Sequence, residues 1–92
     1  MINGSPNDFV DTAYSGQEIF FVYEGNKYML QGYTKTGHCY IEIQQHIPWS
    51  LDTFWETEGK SMHECLSNFL KAPIFNGKTF WEAENEIKWV DD

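Results

Sequence analysis

The sequence predicts an α+β fold, with a short N-terminal helix, an antiparallel meander of three to four strands and two C-terminal helices packed on one sheet face. Residues 18–58 contain segments rich in β-branched and aromatic residues, separated by short turn signals. The pattern G-K-[ST]-x-x-E then occurs twice, at 59–64 and 77–82, and each copy opens a segment whose apolar residues have helical spacing. Strands followed by helices are typical of the α+β class.

The first helix is predicted to begin after Ser5. Ser5 is a suitable N-cap, Pro6 fits the first turn, and the carboxylate of Asp8 complements the helix dipole. Apolar residues follow at positions 9, 10, 13 and 14, and Gly16 ends the segment.

The strands of the meander are separated by glycine- and proline-containing turns. Gly25-Asn26 and Thr36-Gly37 are predicted hairpin turns. Pro48 breaks regularity before a loop at Trp49–Asp52, and Gly32 indicates a bulge or a close approach. The predicted strands are Glu18–Glu24, Lys27–Lys35, His38–Gln45 and, as an acidic edge strand, Thr53–Glu58.

The repeated pattern predicts two capping boxes. A Ser61 or Thr79 hydroxyl accepts from the backbone N–H three residues on, and the glutamate there bonds back to the cap, which stabilises a helix by about 1 kcal/mol. A phosphate-binding P-loop would need an earlier glycine, where this chain has Phe54 and Ala72. The first boxed helix is predicted over Met62–Lys71, with Pro73 ending it.

The second boxed helix is predicted to present tryptophans away from its buried stripe. That stripe comprises Phe80, Ala83, Ile87 and Val90. Trp81 and Trp89 fall outside it, and Trp89 lies between Glu82 and Glu86. Either the helix is covered on two sides within the monomer, or it exposes indole rings to a partner, or the segment 87–90 is extended and the faces are reset.

Length, charge and composition limit the classes of partner and the compartment that we expect. The 92 residues are expected to form a single domain, 1–92, with 1–4 disordered, and the net charge is −8 with no arginine. Both charge facts weigh against direct nucleic-acid binding and favour a basic protein partner or none. No apolar run approaches the roughly 20 residues of a membrane span, and no signal-peptide pattern is present, so we expect a cytoplasmic protein that does not bind membranes.

No metal, cofactor or catalytic residue is predicted. The five histidines and cysteines lack the spacing of a zinc site, and Cys39 and Cys65 are expected to be reduced and packed on apolar faces. Ser61 and Thr79 are used by capping, so the chain is predicted not to be an enzyme, and a small enzyme is the third hypothesis.

The second sheet face offers a further candidate surface. Its expected members are Tyr23, Tyr28, Tyr33, Tyr40 and Glu42, which form either a binding surface or an aromatic ladder that only stabilises the sheet. The interface candidates are therefore Trp81, Trp89, Glu82, Glu86, Tyr40 and Glu42.

Two segments carry a resemblance. The hairpin sequence at Glu18–Tyr28 and the final G-K-[ST]-x-x-E segment at Gly77–Ile87 are similar to those of short bacterial cytosolic proteins of unknown function. The resemblance implies a bacterial or phage origin and an α+β fold, and it carries over no catalytic residue.

Two functions follow as hypotheses. The first is a small acidic, non-enzymatic module that binds a protein partner, in its narrowest form an inhibitor or immunity-type protein against a basic toxin or nuclease. The second is a homodimeric structural or accessory module whose interface is the tryptophan-bearing helix. Salt distinguishes them, because an electrostatic complex weakens with ionic strength and an apolar dimer does not.

Overall fold

The structure, a computed structural model, describes residues 1–91 and has the α+β class that the sequence predicts. Within those residues five strands form one antiparallel sheet in the order β4-β3-β2-β1-β5. The elements in chain order are α1 (Pro6–Tyr14), β1 (Ile19–Tyr23), β2 (Asn26–Lys35), β3 (His38–Ile47), β4 (Ser50–Gly59), α2 (Met62–Lys71), α3 (Phe80–Ala83), a 3-10 turn (Glu84–Glu86) and β5 (Lys88–Val90).

The capping device is present at all three helix starts, and it is complete at one. The Ser5 Oγ caps α1, as the sequence predicts. Ser61 Oγ accepts from Glu64 N at 3.1 Å, and the described bonds of this pair include only that forward half. At Thr79 both halves form, because Glu82 N donates to Thr79 Oγ1 at 3.4 Å and Thr79 N donates to the Glu82 carboxylate at 2.9 Å.

The second boxed helix is much shorter than predicted. It ends at Ala83, continues as one 3-10 turn, and from Ile87 the backbone is extended. Residues 88–90 then pair with β1, so that Phe21 opposes Trp89. The prediction of a helix to residue 90 was wrong, and the alternative of an extended segment at 87–90 is the one observed, because sheet pairing along the free edge of β1 outweighs the local helical spacing. This added strand also raises the count from the predicted three or four to five.

The N-terminal residues join the same edge. The sequence predicts disorder for 1–4, and in the structure Ile2 forms a parallel bridge to Lys88. Ile2 N donates to Ile87 O and Trp89 N donates to Ile2 O, each at 2.9 Å. Both backbone bonds continue the sheet beyond β5.

Two of the three hairpin turns differ from the predicted ones. The first lies one residue earlier than predicted, at Glu24-Gly25, where both φ values are positive (51° and 78°). Thr36-Gly37 forms the second as predicted. The third is the two-residue turn Pro48-Trp49, so most of the predicted Trp49–Asp52 loop is strand, since β4 pairs with β3 from Ser50 onward. Turn type, and not only proline, decides where a strand resumes.

The helices pack on one side of the sheet around a cluster of aromatic rings. Phe9 of α1 stacks on Phe80 at 5.1 Å between ring centroids and meets Phe21 of β1 edge-on at 5.9 Å. Phe69 of α2 contacts Phe80 at 5.7 Å, and Phe75 from the loop after α2 completes the cluster. All five rings are essentially inaccessible to solvent. None of the described helices packs on the opposite side of the sheet, so the side chains on that side are not covered by a helix.

Two predicted details of the core are confirmed. A Cβ at Gly32 would lie 2.9 Å from the Met62 methyl carbon, so the glycine marks a close approach of α2 to the sheet. Both cysteines are free thiols, and Cys65 Sγ donates to Cys39 O at 3.1 Å.

Candidate interaction surface

The side of the sheet opposite the helices, here called the uncovered face, carries alternate residues of β1 to β4. Strand alternation places every second side chain there. Cross-strand register aligns them in rows, of which one is Tyr33–Tyr40–Glu58 and the next is Gln31–Glu42–Glu56. The face therefore concentrates phenol rings and carboxylates at the end of the sheet near the β2–β3 turn.

These residues surround a cavity of about 330 Å³, which we call the acid–aromatic pocket. Its named members are Tyr33, Tyr40, Glu42, Glu56 and Glu58. The two phenol rings stack with centroids 5.1 Å apart and planes inclined by 13°. A stacked pair presents a large, rigid aromatic surface beside the carboxylates.

The carboxylates of the pocket favour a positive occupant. Glu42 and Glu56 are direct cross-strand partners, and like charges in that position repel. The Glu42 carboxylate accepts from the neutral side-chain amides of Gln31 at 3.0 Å and Gln44 at 2.9 Å, which orient it without neutralising it. A cation placed between the two strands relieves this repulsion.

Glu58 and Tyr40 form the outer wall of the pocket. His38 Nδ1 lies 3.9 Å from a Glu58 carboxylate oxygen. The two groups form an ion pair only when the imidazole is protonated. Partial burial, and then the adjacent Glu58 carboxylate, raise the pKa of the Tyr40 phenol. The Tyr40 hydroxyl, neutral at physiological pH, hydrogen-bonds to the Glu58 side chain, and the Tyr40 ring offers a π surface for a cation.

The middle of the uncovered face is more apolar. The Phe20 ring meets His46 edge-on at 5.9 Å, and the ammonium of Lys27 lies 5.4 Å from the Phe20 centroid. The His46 Nε2 atom is buried without a hydrogen-bond partner in the described part of the chain. Charge on the face thus changes from lysine near the β1–β2 turn to carboxylates at the pocket.

The turn between β3 and β4 exposes an apolar protrusion, here called the hairpin tip. Its members are Ile47, Trp49, Leu51 and Phe54, each more than a third exposed. Trp49 is fully exposed and has φ of +77°, a left-handed conformation that glycine or asparagine normally occupies after a proline in a two-residue turn. The tip combines an exposed indole with a backbone conformation that disfavours it.

The structure divides the predicted interface residues between the two sides of the sheet. Tyr40 and Glu42 lie on the uncovered face, in the acid–aromatic pocket. Trp81 lies on the helical side, is about half exposed (46%), and packs edge-on against its neighbour Phe80. Trp89 belongs to β5 and not to a helix, and its indole packs edge-on against Phe9 at 5.4 Å within the monomer.

The two predicted glutamates of the last helix serve local structure. Hydrogen bonds from Thr79, above all that from its backbone N–H, lower the pKa of Glu82, which closes the capping box. Glu86 pairs with Lys78 at 3.1 Å between nitrogen and oxygen. Neither carboxylate faces the acid–aromatic pocket, because α3 and the 3-10 turn lie on the helical side.

Two of the four tyrosines assigned to the second sheet face lie on the first. Tyr23 and Tyr28 are buried on the helical side, where Tyr28 stacks on Phe21 at 5.2 Å. Positions 28 and 33 of a regular strand are an odd number apart and must face opposite ways. Only Tyr33 and Tyr40 therefore share the uncovered face.

Sequence reasoning missed Glu56, Glu58 and Trp49 as candidate site residues. The alternation of Glu56 and Glu58 with Trp55 and Thr57 in a predicted edge strand was a usable signal, because it places both acids on one face. Trp49 was assigned to a loop, and nothing in the sequence distinguishes an exposed indole there from a packed one.

Three observations on residues 1–91 concern metal ligation, thiol reactivity and membrane spanning. No group of three histidine, cysteine or acidic side chains in that range is arranged to hold a metal ion. Burial raises the pKa of the Cys65 thiol, which keeps it protonated and poorly nucleophilic. None of the described helices has the length and apolar character that a bilayer span requires.

Comparison of the chain with family models, with curated proteins and with solved structures finds no match.

Proposed function

We propose that this chain is a non-enzymatic protein-binding module that holds a lysine or arginine side chain of a basic partner in the acid–aromatic pocket. The observation that carries the proposal is the stacked pair Tyr33–Tyr40 beside Glu42, Glu56 and Glu58. Aromatic faces next to carboxylates attract a desolvated cation by ring quadrupole and by charge together.

The charge of the whole chain supports the same partner class. A net charge of −8 without arginine repels acidic ligands and steers a basic protein toward the surface at low ionic strength. An inhibitor or immunity-type protein that blocks a basic enzyme is the narrower form of the proposal. The uncovered face suits that role, because it leaves alternate side chains of four strands available for contact.

Panning a display library of random short peptides on the purified chain tests the proposal. At about 10 mM salt, where the Debye length is about 30 Å, we expect lysine- and arginine-rich peptides to be enriched, and the enrichment to disappear near 1 M salt. Tyr40→Ala is expected to weaken binding of an enriched peptide about three- to thirtyfold, the range of a cation–π contact.

The control is Glu24→Gln, which removes the same unit of charge at a hairpin turn away from the pocket as Glu58→Gln removes within it. We expect Glu58→Gln to weaken binding and Glu24→Gln to leave it nearly unchanged. Enrichment of neutral or acidic peptides, or equal effects of the two variants, contradicts the proposal.

A homodimer is the second candidate function, and the hairpin tip favours it. Its exposed apolar side chains sum to about 400–500 Å², spread over the turn and both sides of the sheet, which is below the roughly 800 Å² per partner of a stable interface. Sedimentation of the chain and of its Trp49→Ser variant tests this alternative. A dimer that the substitution dissociates supports it, and a monomer at high concentration excludes it.

A further inference from the structure

The outer side of β4 is a sheet edge. In the order β4-β3-β2-β1-β5 this strand is terminal, and no strand within residues 1–91 pairs with its outer side. The other edge is treated differently, because Ile2 hydrogen-bonds along β5. An edge strand presents a row of N–H and C=O groups that another chain can continue.

A bulge limits which part of β4 is regular. Ile43 opposes Trp55 and the next residue, Gln44, opposes Thr53, so Phe54 is the extra residue on the edge strand. Bulges twist an edge and interrupt continuous pairing. The regular edge segment is therefore Trp55–Gly59, five residues that follow the bulge.

The side chains of this segment alternate between two environments. Glu56 and Glu58 point to the uncovered face and belong to the acid–aromatic pocket. On the helical side, Trp55 packs toward Phe69 of α2, and Thr57 Oγ1 accepts a hydrogen bond from the Asn68 side chain of that helix. That side of the segment therefore makes an aromatic contact and a hydrogen bond with α2. A strand added outside β4 continues each row, at about 4.8 Å spacing, with its own alternate residues.

Charge decides what kind of strand fits. A second copy of β4 would bring carboxylates onto the carboxylates of this one, and like charges directly opposite destabilise a strand pair. The same acids attract a strand with positive side chains at alternate positions, because those side chains extend over Glu56 and Glu58 toward the Tyr40 ring. The edge thus disfavours self-pairing in the register that opposes these carboxylates, and favours a basic segment.

We infer that Trp55–Gly59 binds an extended segment of a basic protein as a sixth strand, with lysine or arginine at two positions i and i+2 and an apolar residue between them. The inference rests on the proposed function and adds to it the mode of binding. Main-chain bonds to the edge supply affinity, and the alternate basic residues supply specificity.

The peptides enriched in the library also report the spacing of their basic residues. We expect enriched peptides to share basic residues at i and i+2, without proline between them, since an added strand needs its N–H groups. A synthetic peptide of the enriched sequence is then N-methylated at one backbone amide at a time, and binding to the chain is measured by calorimetry.

Methylation is expected to weaken binding about tenfold at every second amide, those that face β4, and to have little effect at the amides between them. On the protein side, peptide binding should slow hydrogen exchange of outward amides within 55–59 and leave the β5 edge unchanged.

The outcomes separate the two proposals. Basic peptides that bind without an alternating methylation pattern, or with basic residues at any spacing, overturn the added strand and leave the basic-partner function standing. A library that enriches no basic peptide overturns both. If methylation at alternate amides weakens binding but the amides of 55–59 gain no protection from hydrogen exchange, the peptide binds elsewhere, and the inference is also overturned.

Discussion

Replacing an aromatic residue by glycine is expected to stabilise this protein at the hairpin tip. Trp49 is fully exposed, so its removal sacrifices no buried area, and its φ of +77° is left-handed. Releasing a non-glycine residue from that conformation yields about 1–2 kcal/mol, and the greater freedom of glycine in the unfolded chain offsets about 0.5–1 kcal/mol. For Trp49→Gly we therefore expect about 0.5–1 kcal/mol of added stability.

Two further substitutions at the same position isolate the backbone contribution. Trp49→Asn tolerates positive φ without the entropy of glycine and should stabilise by about 1 kcal/mol, whereas Trp49→Ala keeps the unfavourable conformation and should fall within about 0.5 kcal/mol of wild type. Urea unfolding followed by circular dichroism measures all three, and each kcal/mol corresponds to about 4–8 °C in Tm. A loss of stability in Trp49→Gly, or an equal gain in Trp49→Ala, refutes the reasoning.

Four other predictions concern the core, the cap, the thiols and the pocket. Phe80→Ala deletes a fully buried ring and is expected to cost about 3–5 kcal/mol in urea unfolding, a large part of the roughly 5–14 kcal/mol of a domain this size; a loss below about 1 kcal/mol contradicts its central position. Because the pKa of Glu82 is lowered in the folded state, the stability that its carboxylate contributes is present above its ordinary pKa of 4.5 and is lost as pH falls through the lower folded value. In Glu82→Gln the decline of Tm on the acid side should therefore be shallower than in wild type. An unchanged slope of Tm against pH argues against the cap. Iodoacetamide should modify the half-buried Cys39 before the buried Cys65, as peptide mass mapping will report, and the reverse order contradicts the packing. Glu56→Gln removes one of two facing carboxylates and should raise stability by about 0.2–1 kcal/mol in the absence of a partner, whereas a loss would mean that Glu56 is held by favourable contacts.

Local signals located most elements in the sequence. Met62–Lys71 is observed with the predicted bounds, because a serine cap, a periodic apolar face and a following proline all specify the same helix. The Thr36-Gly37 turn is likewise local, since Gly37 tolerates the positive φ of a two-residue hairpin turn, and the β-branched Thr36 takes the other positive φ, of 49°. Where several short-range preferences agree, sequence alone is sufficient.

The errors lie where distant residues decide the structure. Residues 88–90 have helical spacing relative to Phe80, yet they are a strand because the edge of β1 and the backbone of Ile2 bond them from both sides. The tyrosine faces are a different kind of error, because strand alternation alone places Tyr28 and Tyr33 of β2 on opposite faces. The candidate site depends on distant residues as well, because Tyr33, Tyr40 and Glu58 meet only through the pairing of three strands.

Two local costs in this molecule lie on the β3–β4 hairpin, besides the positive φ angles of Glu24 and Thr36 at the other two hairpin turns. The core around Phe9 and Phe80 is closely packed, the caps are satisfied, and the β5 edge is bonded. By contrast, the β3–β4 hairpin carries facing carboxylates at Glu42 and Glu56 and a left-handed, exposed Trp49. Folding alone gives no reason to keep either feature, since glutamine at one site and glycine at the other would serve the hairpin better. We expect each feature to become favourable when a partner supplies a cation to the carboxylates or covers the indole, and on that basis we propose the binding surface on this hairpin and not on the helices.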